Sequence, residues 1–336
     1  MRVCELQTEF GIGSLKVVDH PDPTIKPGHI RLRMKAWSLN YRDLMVVRGQ
    51  YNPKLKFPFI PLSDGVGEVV EVGEGVDSVK VGTRVCPLFM PLWQSGRLTD
   101  AHCKSALGGA WPGVLADSVV LPAAGVTTVP DHLTDAEAAT LPCAAVTAWH
   151  ALVTDGQIQP GDTVLIQGTG GVSLFALQFA LLAGATVIAT SSSDEKLARV
   201  LKMGAAHGIN YRTQPDWEVA VRDYTKGVGV RHIVEVGGAG TLGKSLKAVQ
   251  TAGTISLIGV LSGGTGEVNP LPILMKNIRV QGIYVGSGEM FAAMNRAIAL
   301  HQVRPTIDRS FRMEEVQAAF RHLESGQHFG KVVIEA

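Results

Sequence analysis

The stretch that decides the fold runs from Thr163 to Ser193 and reads TVLIQGTGGVSLFALQFALLAGATVIATSSS. It contains no charged residue, and it is longer than the roughly 20 residues that a membrane-spanning helix needs. However, Gly168, Gly170 and Gly171 interrupt it early, and glutamine and serine side chains add polarity. Each apolar piece is therefore too short to cross a bilayer. The pattern predicts a buried strand, a glycine turn, a buried helix and a second strand.

The glycine turn has the pattern GxGxxG, with Ser173 in place of the last glycine. Gly168 would form the tight turn, and Gly170 would let the backbone approach a pyrophosphate. The start of the following helix would supply free N–H groups and the positive end of the helix dipole. A plain tight turn between a strand and a helix is the alternative. We expect a dinucleotide to contact the turn at Gly168, Thr169, Gly170, Gly171 and Val172.

The end of the second strand indicates which dinucleotide is bound. An NAD site usually carries an acidic residue about 20 residues after the glycine turn, but this sequence has Thr190-Ser191-Ser192-Ser193 there. Ser191 and Ser192 can donate to a 2′-phosphate, and Lys196 can pair with it. Asp194 comes too late and fits the first turn of the next helix. We therefore predict NADPH rather than NADH; the alternative is that the serines only cap a helix and Lys196 is solvated.

The chain around this stretch predicts two kinds of architecture. From a capping box at Thr134–Glu137 to Val260, strands and helices alternate, which is typical of a doubly wound parallel sheet. The first third has alternating apolar and basic residues at Ile30–Lys35 and frequent proline and glycine, which predicts a barrel or sandwich. A last helix is expected at Met313–Glu324 and a last strand at Lys331–Ile334. The expected fold class is α/β, with a β-rich domain beside the parallel-sheet domain.

Composition limits the classes of partner. A length of 336 residues suggests two domains at about 150 residues each. The 31 basic and 30 acidic residues give a net charge of +1, which offers no electrostatic basis for binding nucleic acid. With 46% hydrophobic and 18% charged residues, the chain can bury a large core. We expect a small-molecule substrate, with no nucleic-acid or membrane partner.

Cysteine usage and the first residues bear on the compartment. The four cysteines are scattered without a CxxC pair, which supports neither a disulfide framework nor a zinc ribbon. The segment Met1–Phe10 has no apolar core and carries two glutamates, so we do not expect it to be a secretory signal. A reduced, cytoplasmic setting is the expectation.

Several segments together resemble the medium-chain dehydrogenase/reductase superfamily, in its zinc-independent quinone-oxidoreductase-like branch. They extend over nearly the whole chain, at Ser38–Asp43, Gly65–Gly73, Leu141–Trp149, Gly168–Ser173, Gly204-Ala205, Ile209–Arg212 and Gly330–Val333. The resemblance implies a GroES-like catalytic domain built from residues 1–130 with 286–336. It places a Rossmann dinucleotide-binding domain at residues 131–285, and it implies a homodimer formed through edge strands of that domain.

The resemblance also bears on zinc. Zinc-dependent alcohol dehydrogenases of this superfamily carry a cysteine where this chain has Asn40, and a His-Glu pair where it has Ser63-Asp64. Neither position keeps a thiolate or imidazole ligand. The structural zinc lobe of those relatives needs four clustered cysteines, and the corresponding region here has only Cys86 and Cys103. We expect no metal site.

Further cofactor residues are implied by the resemblance alone. They lie at a helix start, at strand ends and on the returning end of the chain: Thr147, Tyr211, Gly237, Gly259, Val260, Phe329 and Lys331. Thr147 would face the nicotinamide, and Tyr211 matches a tyrosine that packs near the 2′-phosphate in NADPH-dependent relatives. For each residue the alternative is ordinary packing or a turn.

Without zinc, another group must stabilise charge on the substrate oxygen. Hydroxyl and amide groups at Asn40, Tyr41, Tyr51 and Thr147 are available, and we predict Tyr51, Asn40 and Thr147 as catalytic residues. By resemblance, Tyr51 aligns with a tyrosine that donates a proton in mitochondrial enoyl-thioester reductases. A role in aromatic packing is the alternative for Tyr51.

The predicted function is an NADPH-dependent, zinc-independent oxidoreductase that transfers hydride to a quinone, an enone or another activated carbonyl. Two alternatives stay open. One is an NAD(P)-dependent alcohol dehydrogenase acting on alcohols or aldehydes. The other is a non-catalytic, crystallin-like protein that binds NADPH.

Overall fold

The computed structural model describes all 336 residues, which form two compact units. Unit 1 comprises Met1–Val146 and Val285–Ala336, and unit 2 comprises Thr147–Tyr284. The sequence-based boundary after residue 130 falls earlier than this division. Unit 1 continues to Val146 because the first helix after residue 130 packs on strands of unit 1.

A seven-stranded sheet forms the centre of unit 1. Its strands are β3 (His29–Ser38), β4 (Asp64–Val72), β5 (Arg84–Pro87), β6 (Ser118–Pro122), β7 (Val126–Thr128), β14 (Ile307–Arg312) and β15 (Lys331–Glu335). They lie in the order β14-β15-β3-β4-β5-β7, and β6 also pairs with β3. All pairings are antiparallel except that of β14 with β15. A separate antiparallel pair joins β1 (Arg2–Leu6) to β2 (Leu15–Asp19).

The alternating pattern expected in the first third is confirmed in β3. Ile30, Leu32 and Met34 are buried, whereas the basic residues between them are more exposed. The sequence pattern also predicts a strand over Val79–Val85, and this prediction is mostly wrong, since β5 begins only at Arg84 after a turn. Because side chains alternate between the two faces of a strand, one face of β3 covers the core. The backbone at its two edges is free to pair with neighbouring strands.

Unit 1 contains α1 (Tyr41–Val47), α2 (Asp100–Cys103), α3 (Asp135–Ala139), α10 (Gly288–His301) and α11 (Val316–Glu324), and α4 (Val146–Trp149) begins at its boundary. The predicted capping box before α3 is confirmed. The Glu137 N–H donates to Thr134 Oγ1 at 3.2 Å, and the Thr134 N–H donates to Glu137 Oε2 at 2.8 Å. Both contacts satisfy N–H groups that the helix itself leaves free.

The two chain segments of unit 1 share one hydrophobic core. Trp37 on β3, Phe320 on α11 and Val332 on β15 are fully buried in the same cluster. Trp37 Nε1 also donates to the carbonyl of Val114 at 2.5 Å. The returning end of the chain is therefore an integral part of this unit.

Unit 2 contains a six-stranded sheet in which every pairing is parallel. Its strands are β8 (Thr163–Gln167), β9 (Thr186–Ser191), β10 (His207–Asn210), β11 (Val230–Glu235), β12 (Val249–Leu257) and β13 (Arg279–Gly282). They lie in the order β10-β9-β8-β11-β12-β13, so the predicted doubly wound sheet is confirmed. The chain leaves β8 toward β9 and later returns beside β8 as β11. This reversal creates a switch point, and such folds bind ligands there at the carboxyl ends of the strands.

The helices of unit 2 are α5 (Gly171–Leu182), α6 (Asp194–Lys202), α7 (Trp217–Tyr224), α8 (Ala239–Ala248) and α9 (Leu271–Met275). The predicted buried helix after the glycine turn is α5, and seven of its residues are buried. Within the alternating part of the sequence, the pattern also predicts a helix over Leu242–Gln250. This helix instead starts at Ala239, and its predicted last residues belong to β12.

No α-helix in this structure combines the length and the apolar character needed to cross a membrane.

Candidate functional site

The glycine turn leaves room for a ligand at the carboxyl end of β8. Gly168 has a φ of +71°, a conformation that favours glycine, and its N–H donates to the Thr190 carbonyl at 2.8 Å. A Cβ added at Gly168 or at Gly170 would meet no atom within 4 Å. This open space lies in front of α5, a helix of 12 residues. Free backbone N–H groups facing open space fit the pyrophosphate of a dinucleotide.

The turn itself is held rigidly. Ser173, in the last position of the motif, is buried and donates through Oγ to the Gln167 carbonyl at 2.6 Å. Thr169 is also buried. The predicted residues Gly168, Thr169, Gly170, Gly171 and Val172 all lie in this one turn and the first residues of α5. A small residue at position 173 therefore ties the helix to the end of β8.

A second group of predicted residues lies at the carboxyl end of β9. Ser191 is the buried last residue of β9, and its Oγ accepts the N–H of Ser193 at 3.3 Å. Ser193 in turn caps α6 by accepting the Lys196 N–H at 3.3 Å. Asp194 is the first residue of α6, as expected from the sequence. Its carboxylate accepts the side-chain amide of Asn210 at 2.7 Å.

Tyr211 completes this second group. Its N–H donates to the Ser191 carbonyl at 3.0 Å, and 43% of the residue is exposed. Ser192 and Lys196 follow in the same loop and the first turn of α6, and both are partly buried. The end of β9 thus presents hydroxyl, phenol and ammonium groups, while the nearest carboxylate is already hydrogen-bonded to an amide.

Three further predicted residues lie at the ends of β11 and β12. Gly237 is buried, and its N–H donates to Glu235 Oε1 at 2.9 Å. Gly259 has a packing reason of its own, since a Cβ there would lie 2.5 Å from the Val236 carbonyl oxygen. Val260 is 42% exposed. Glycine at position 259 is therefore required by the close approach of two backbones, whatever else it contacts.

Sequence reasoning missed the buried polar pair of Gln167 and Glu235. Gln167 is the last residue of β8, and Glu235 is the last residue of the neighbouring strand β11. Gln167 Nε2 donates to Glu235 Oε2 at 2.7 Å. The available signal was a polar residue ending each of two otherwise apolar strands, VLIQ and HIVE, just before a glycine-containing turn.

Unit 1 holds a separate polar cluster around Lys331, the first residue of β15. Lys331 is only 4% exposed, and its Nζ donates to the Leu39 carbonyl and to Asn40 Oδ1, each at 2.6 Å. Asn40 precedes α1, and its N–H donates to Asp43 Oδ2 at 2.8 Å. Asp64 Oδ1 accepts the Ser63 hydroxyl at 2.6 Å, and Asp64 Oδ2 accepts the Cys143 N–H at 3.1 Å.

Burial changes the acidity of both carboxyl groups. It raises the pKa of Asp43 to about 6; the charge of Arg42 opposes this rise, and that of Asp64 adds to it. Burial also raises the pKa of Asp64, although Lys331 works in the opposite direction. Asp43 Oδ1 and Asn40 Nδ2 are buried without a hydrogen-bond partner. This cluster is therefore charged, buried and incompletely hydrogen-bonded within the protein.

Tyr51 lies beside a buried arginine. Its N–H donates to the Met45 carbonyl at 3.2 Å, just after α1. The Arg42 guanidinium lies 5.4 Å from the Tyr51 ring centroid and 4.5 Å from that of Phe89. Arg42 also donates through Nη1 to the Leu107 carbonyl at 2.8 Å. A positive charge is thus held close to the phenol ring.

The two remaining predicted residues are both buried. Phe329 is 2% exposed, and its N–H donates to Asp308 Oδ1 at 3.0 Å. Thr147 is also 2% exposed, and it lies in α4 at the start of unit 2. The predicted site residues thus form groups within each unit: the nucleotide groups in unit 2, and the Asn40, Tyr51 and Lys331 group in unit 1.

The side chains at the expected zinc positions do not fit a zinc site. Asn40 Oδ1 is already hydrogen-bonded to the Lys331 ammonium, a cation that would repel a second one. Ser63 donates its hydroxyl to Asp64 Oδ1 at 2.6 Å, and neither residue of this pair supplies an imidazole or thiolate ligand. No group of three or more His, Cys, Asp or Glu side chains in this structure is placed to hold a metal ion.

Two protein-family models match the chain. The alcohol dehydrogenase GroES-like domain matches residues 26–131, and the zinc-binding dehydrogenase domain matches residues 171–300. A zinc-type alcohol dehydrogenase-like protein of Schizosaccharomyces pombe is 42% identical over 332 residues, covering 97% of this chain and 96% of that protein. Quinone oxidoreductase-like protein 2 of Bos taurus is 27% identical over 323 residues, covering 92% and 86%.

Solved structures show the same likeness. An NAD-dependent alcohol dehydrogenase is 33% identical, with a TM-score of 0.91 and full coverage of both chains. A mycobacterial protein in complex with NADPH is 27% identical, with a TM-score of 0.83 and full coverage of both chains. The chain belongs to the medium-chain dehydrogenase/reductase superfamily, with a GroES-like domain and a Rossmann-like domain, and it is an oxidoreductase of the NAD(P)-dependent alcohol dehydrogenase and quinone oxidoreductase-like family.

Proposed function

We propose that this enzyme is an NADPH-dependent, zinc-independent reductase of a quinone, an enone or another activated carbonyl. The observation that carries the proposal is the buried Lys331 ammonium hydrogen-bonded to Asn40 at a position where zinc-dependent relatives carry a metal ligand. A cation of the protein's own chain occupies this polar cluster. Reduction of an activated carbonyl can proceed with hydrogen-bond donors in place of a Lewis acid.

The end of β9 supports the preference for NADPH. Ser191 and Ser192 stand where an NAD site usually carries a carboxylate. Lys196 follows them closely in the chain, and the Tyr211 N–H donates to the Ser191 carbonyl. A 2′-phosphate there would gain charge-assisted hydrogen bonds, and no acidic side chain occupies the end of β9 itself. The NADPH complex of the mycobacterial relative supports this choice, and the NAD-dependent relative is the reason to test it.

Titration of the purified enzyme with each reduced dinucleotide tests the preference. We expect NADPH to bind more tightly than NADH by about 1–3 kcal/mol, the scale of one or two charge-assisted hydrogen bonds. Ser191→Asp should reverse the order by repelling the 2′-phosphate, and Ser191→Asn is the matched uncharged control. Equal or tighter binding of NADH to the wild type would contradict the preference.

The side chains that would hold the dinucleotide are those of the glycine turn and the end of β9, and the bound nicotinamide supplies the hydride. The enzyme's own residues then have two tasks. Tyr51 donates the proton to the substrate oxygen, and the neighbouring Arg42 charge stabilises the phenolate that this leaves. Asn40, held by Lys331, and Thr147 orient the reactants through hydrogen bonds.

Tyr51→Phe tests the proton donor because it removes only the hydroxyl and keeps the ring beside Arg42. General-acid catalysis contributes about 10²–10⁴ in rate, so kcat on an enone should fall about 100-fold or more with NADPH affinity nearly unchanged. A quinone should be affected much less, because its reduced product takes protons readily from water. A loss of kcat below about threefold on every active substrate is far smaller than general-acid catalysis contributes, and it would assign Tyr51 to packing.

The zinc-independent character has its own test. We expect activity to survive exhaustive chelation, and elemental analysis to find no stoichiometric zinc. About one zinc per chain, lost together with activity on chelation, would favour the second candidate, a zinc-dependent alcohol dehydrogenase. The Schizosaccharomyces pombe relative, a zinc-type alcohol dehydrogenase-like protein, favours that candidate.

A substrate panel separates the remaining alternatives. Steady NADPH oxidation with a quinone or an enone is the expected result. Oxidation of simple alcohols with NAD(P)⁺ at a comparable rate would support the alcohol dehydrogenase alternative. Tight NADPH binding without turnover on any quinone, enone, aldehyde or alcohol would support a crystallin-like binding protein.

We also propose a cytoplasmic homodimer that pairs through β13. This strand is an edge of the six-stranded sheet, and an unpaired edge is a template for a second copy. The neighbouring helix α9 exposes Leu274 and Met275, at 78% and 74%. Light scattering after size exclusion should give twice the chain mass of 35.7 kDa. Leu274→Lys with Met275→Lys should return the protein to a monomer.

A further inference from the structure

We infer that Glu235 is a positioning residue for the dinucleotide: its buried carboxylate holds the ends of β8 and β11 in the shape that binds the cofactor. Glu235 touches no expected reacting atom and lies outside the glycine motif. The inference rests on the proposed binding of a dinucleotide at the switch point between these two strands.

Every contact of this carboxylate is with a donor. Oε1 accepts the N–H groups of Gly237 at 2.9 Å and Gly238 at 3.1 Å, and the Thr241 hydroxyl at 2.5 Å. Oε2 accepts the Gln167 amide at 2.7 Å and the Ser245 hydroxyl. Donors on all sides are the environment of an ionised carboxylate, which can only accept.

The charge of Glu235 is fully buried, and this residue forms no salt bridge. A buried carboxylate is costly unless hydrogen bonds replace the water that it loses. Here neutral donors from β8, α8 and the turn after β11 supply all of them. Moving any one of these donors would uncover the charge, so the network resists distortion of the backbone that supplies it.

The backbone held in this way lies on both sides of the switch point. Gln167 directly precedes Gly168, and its Oε1 accepts the N–H groups of Val236 at 3.2 Å and Gly237 at 3.3 Å. On the other side, Gly238 is kept at a φ of +86°. One carboxylate therefore links the start of the glycine turn to the turn after β11. A shift of either strand end would move the open space in front of α5.

Glu235→Gln is the first variant, because it keeps the size of the side chain. Its new NH₂ group replaces Oε2 and therefore faces the NH₂ group of Gln167. Both groups then donate, and their hydrogen bond is lost. The double variant Q167E/E235Q restores it with reversed polarity. A carboxylate at position 167 can still accept from Val236 and Gly237. The amide introduced at position 235 can accept through its oxygen from Gly237, Gly238 and Thr241.

The readout is NADPH affinity by fluorescence titration, with kcat at saturating NADPH and thermal unfolding measured on the same samples. We expect E235Q to weaken NADPH binding tenfold or more while kcat stays within threefold. Q167E/E235Q should return the affinity to within threefold of wild type. Glu218→Gln is the matched control, because Glu218 is another buried carboxylate of unit 2 but lies on α7; it should lower stability without changing NADPH affinity.

Wild-type affinity in folded E235Q would overturn the inference, as would a double variant that folds but binds no better than E235Q. If E235Q does not fold, Thr241→Val removes a single donor, and unchanged affinity in that variant together with lost affinity in the double variant would overturn it. A wild-type protein that binds neither NADPH nor NADH would instead refute the proposed function on which the inference rests.

Discussion

The two units bury carboxylates in opposite ways. In unit 1, Asp43 and Asp64 lie with the Lys331 ammonium, and several polar atoms of this cluster have no hydrogen-bond partner. In unit 2, Glu235 has no countercharge, yet neutral donors surround both of its oxygens. The first arrangement balances charge and leaves hydrogen bonds unmade. The second makes the hydrogen bonds and leaves the charge unbalanced.

We interpret this difference as one between a network that positions the backbone, in unit 2, and a cluster suited to chemistry, in unit 1. A fully hydrogen-bonded carboxylate is costly to move, and it suits a backbone that must keep one shape. A cluster with a raised carboxyl pKa and unmade hydrogen bonds can change its charge or accept new partners at lower cost. The expected catalytic groups Asn40 and Tyr51 lie in unit 1, and the glycine turn lies in unit 2. Two substitutions test the charged cluster of unit 1, and a third tests a buried titratable group of unit 2 for comparison.

Lys331→Met should have the largest effect on stability. It removes the ammonium whose charge favours the ionised form of Asp64, while Asp43 keeps Arg42, whose Nε lies 3.6 Å from Asp43 Oδ1. Removing one partner from a buried group of opposite charges costs about 3–5 kcal/mol. Hydrogen exchange of the β3 and β15 amides at pH 8 measures the loss within unit 1. Adding Asp64→Asn to the variant should recover a large part of the loss. A change below about 1 kcal/mol, the scale of an exposed ion pair, would mean that charge balance does not matter in this cluster.

Asp43→Asn should change how stability depends on pH. The carboxyl pKa is 3.8 unfolded and about 6 folded, so the folded state binds the proton more tightly. This stabilisation is present below pH 4 and is lost as the pH rises through 6, by about 3 kcal/mol in total. The variant keeps an acceptor for the Asn40 N–H but has no proton to lose. Denaturant unfolding between pH 4 and 7 should therefore give a flatter profile for the variant; parallel profiles would contradict the raised pKa.

His232→Gln should have the smallest effect, and it tests unit 2. His232 is buried on β11 with Nε2 3.0 Å from Asp162 Oδ2, and burial lowers its pKa below 6.5. Below pH 6.5 the unfolded chain takes up a proton that the folded unit resists, so stability falls by at most about 1.4 kcal/mol per pH unit. Glutamine keeps a donor toward Asp162 and cannot titrate. Exchange of β11 amides should lose this acid sensitivity in the variant; unchanged acid sensitivity would assign it to other groups.

The fold could be predicted from sequence wherever the signal was local. The GxGxxG turn between β8 and α5, the capping box at Thr134 and the alternation in β3 each depend on residues close together in the chain. The domain boundary could not be placed in the same way. Whether residues 131–146 belong to one unit or the other depends on the strands against which α3 packs, and those strands lie far away in sequence.

The residues of the candidate site also differ in whether neighbouring or distant parts of the sequence determine their contacts. Ser191 and Tyr211 could be proposed because strand ends in parallel sheets converge at one edge. The partners of Lys331 could not, because 291 residues separate it from Asn40. Glu235 was missed because a single acidic residue at the end of an apolar strand resembles an ordinary strand terminus. Only the structure brings Gln167 beside it, 68 positions away in the sequence.

The position of β15 inside the seven-stranded sheet has a consequence for biosynthesis. Unit 2 contains one continuous segment of the chain, so all of it can emerge from the ribosome before β15 is synthesised. The sheet of unit 1 cannot be completed until β15 is made, because β15 lies between β14 and β3 and extends to Glu335. Until β15 has been made, the Ala36–Ser38 end of β3 lacks its partner in the nascent chain, and such unpaired edges invite aggregation. Nascent chains stalled before β15 is made should bind chaperones that the released protein no longer needs.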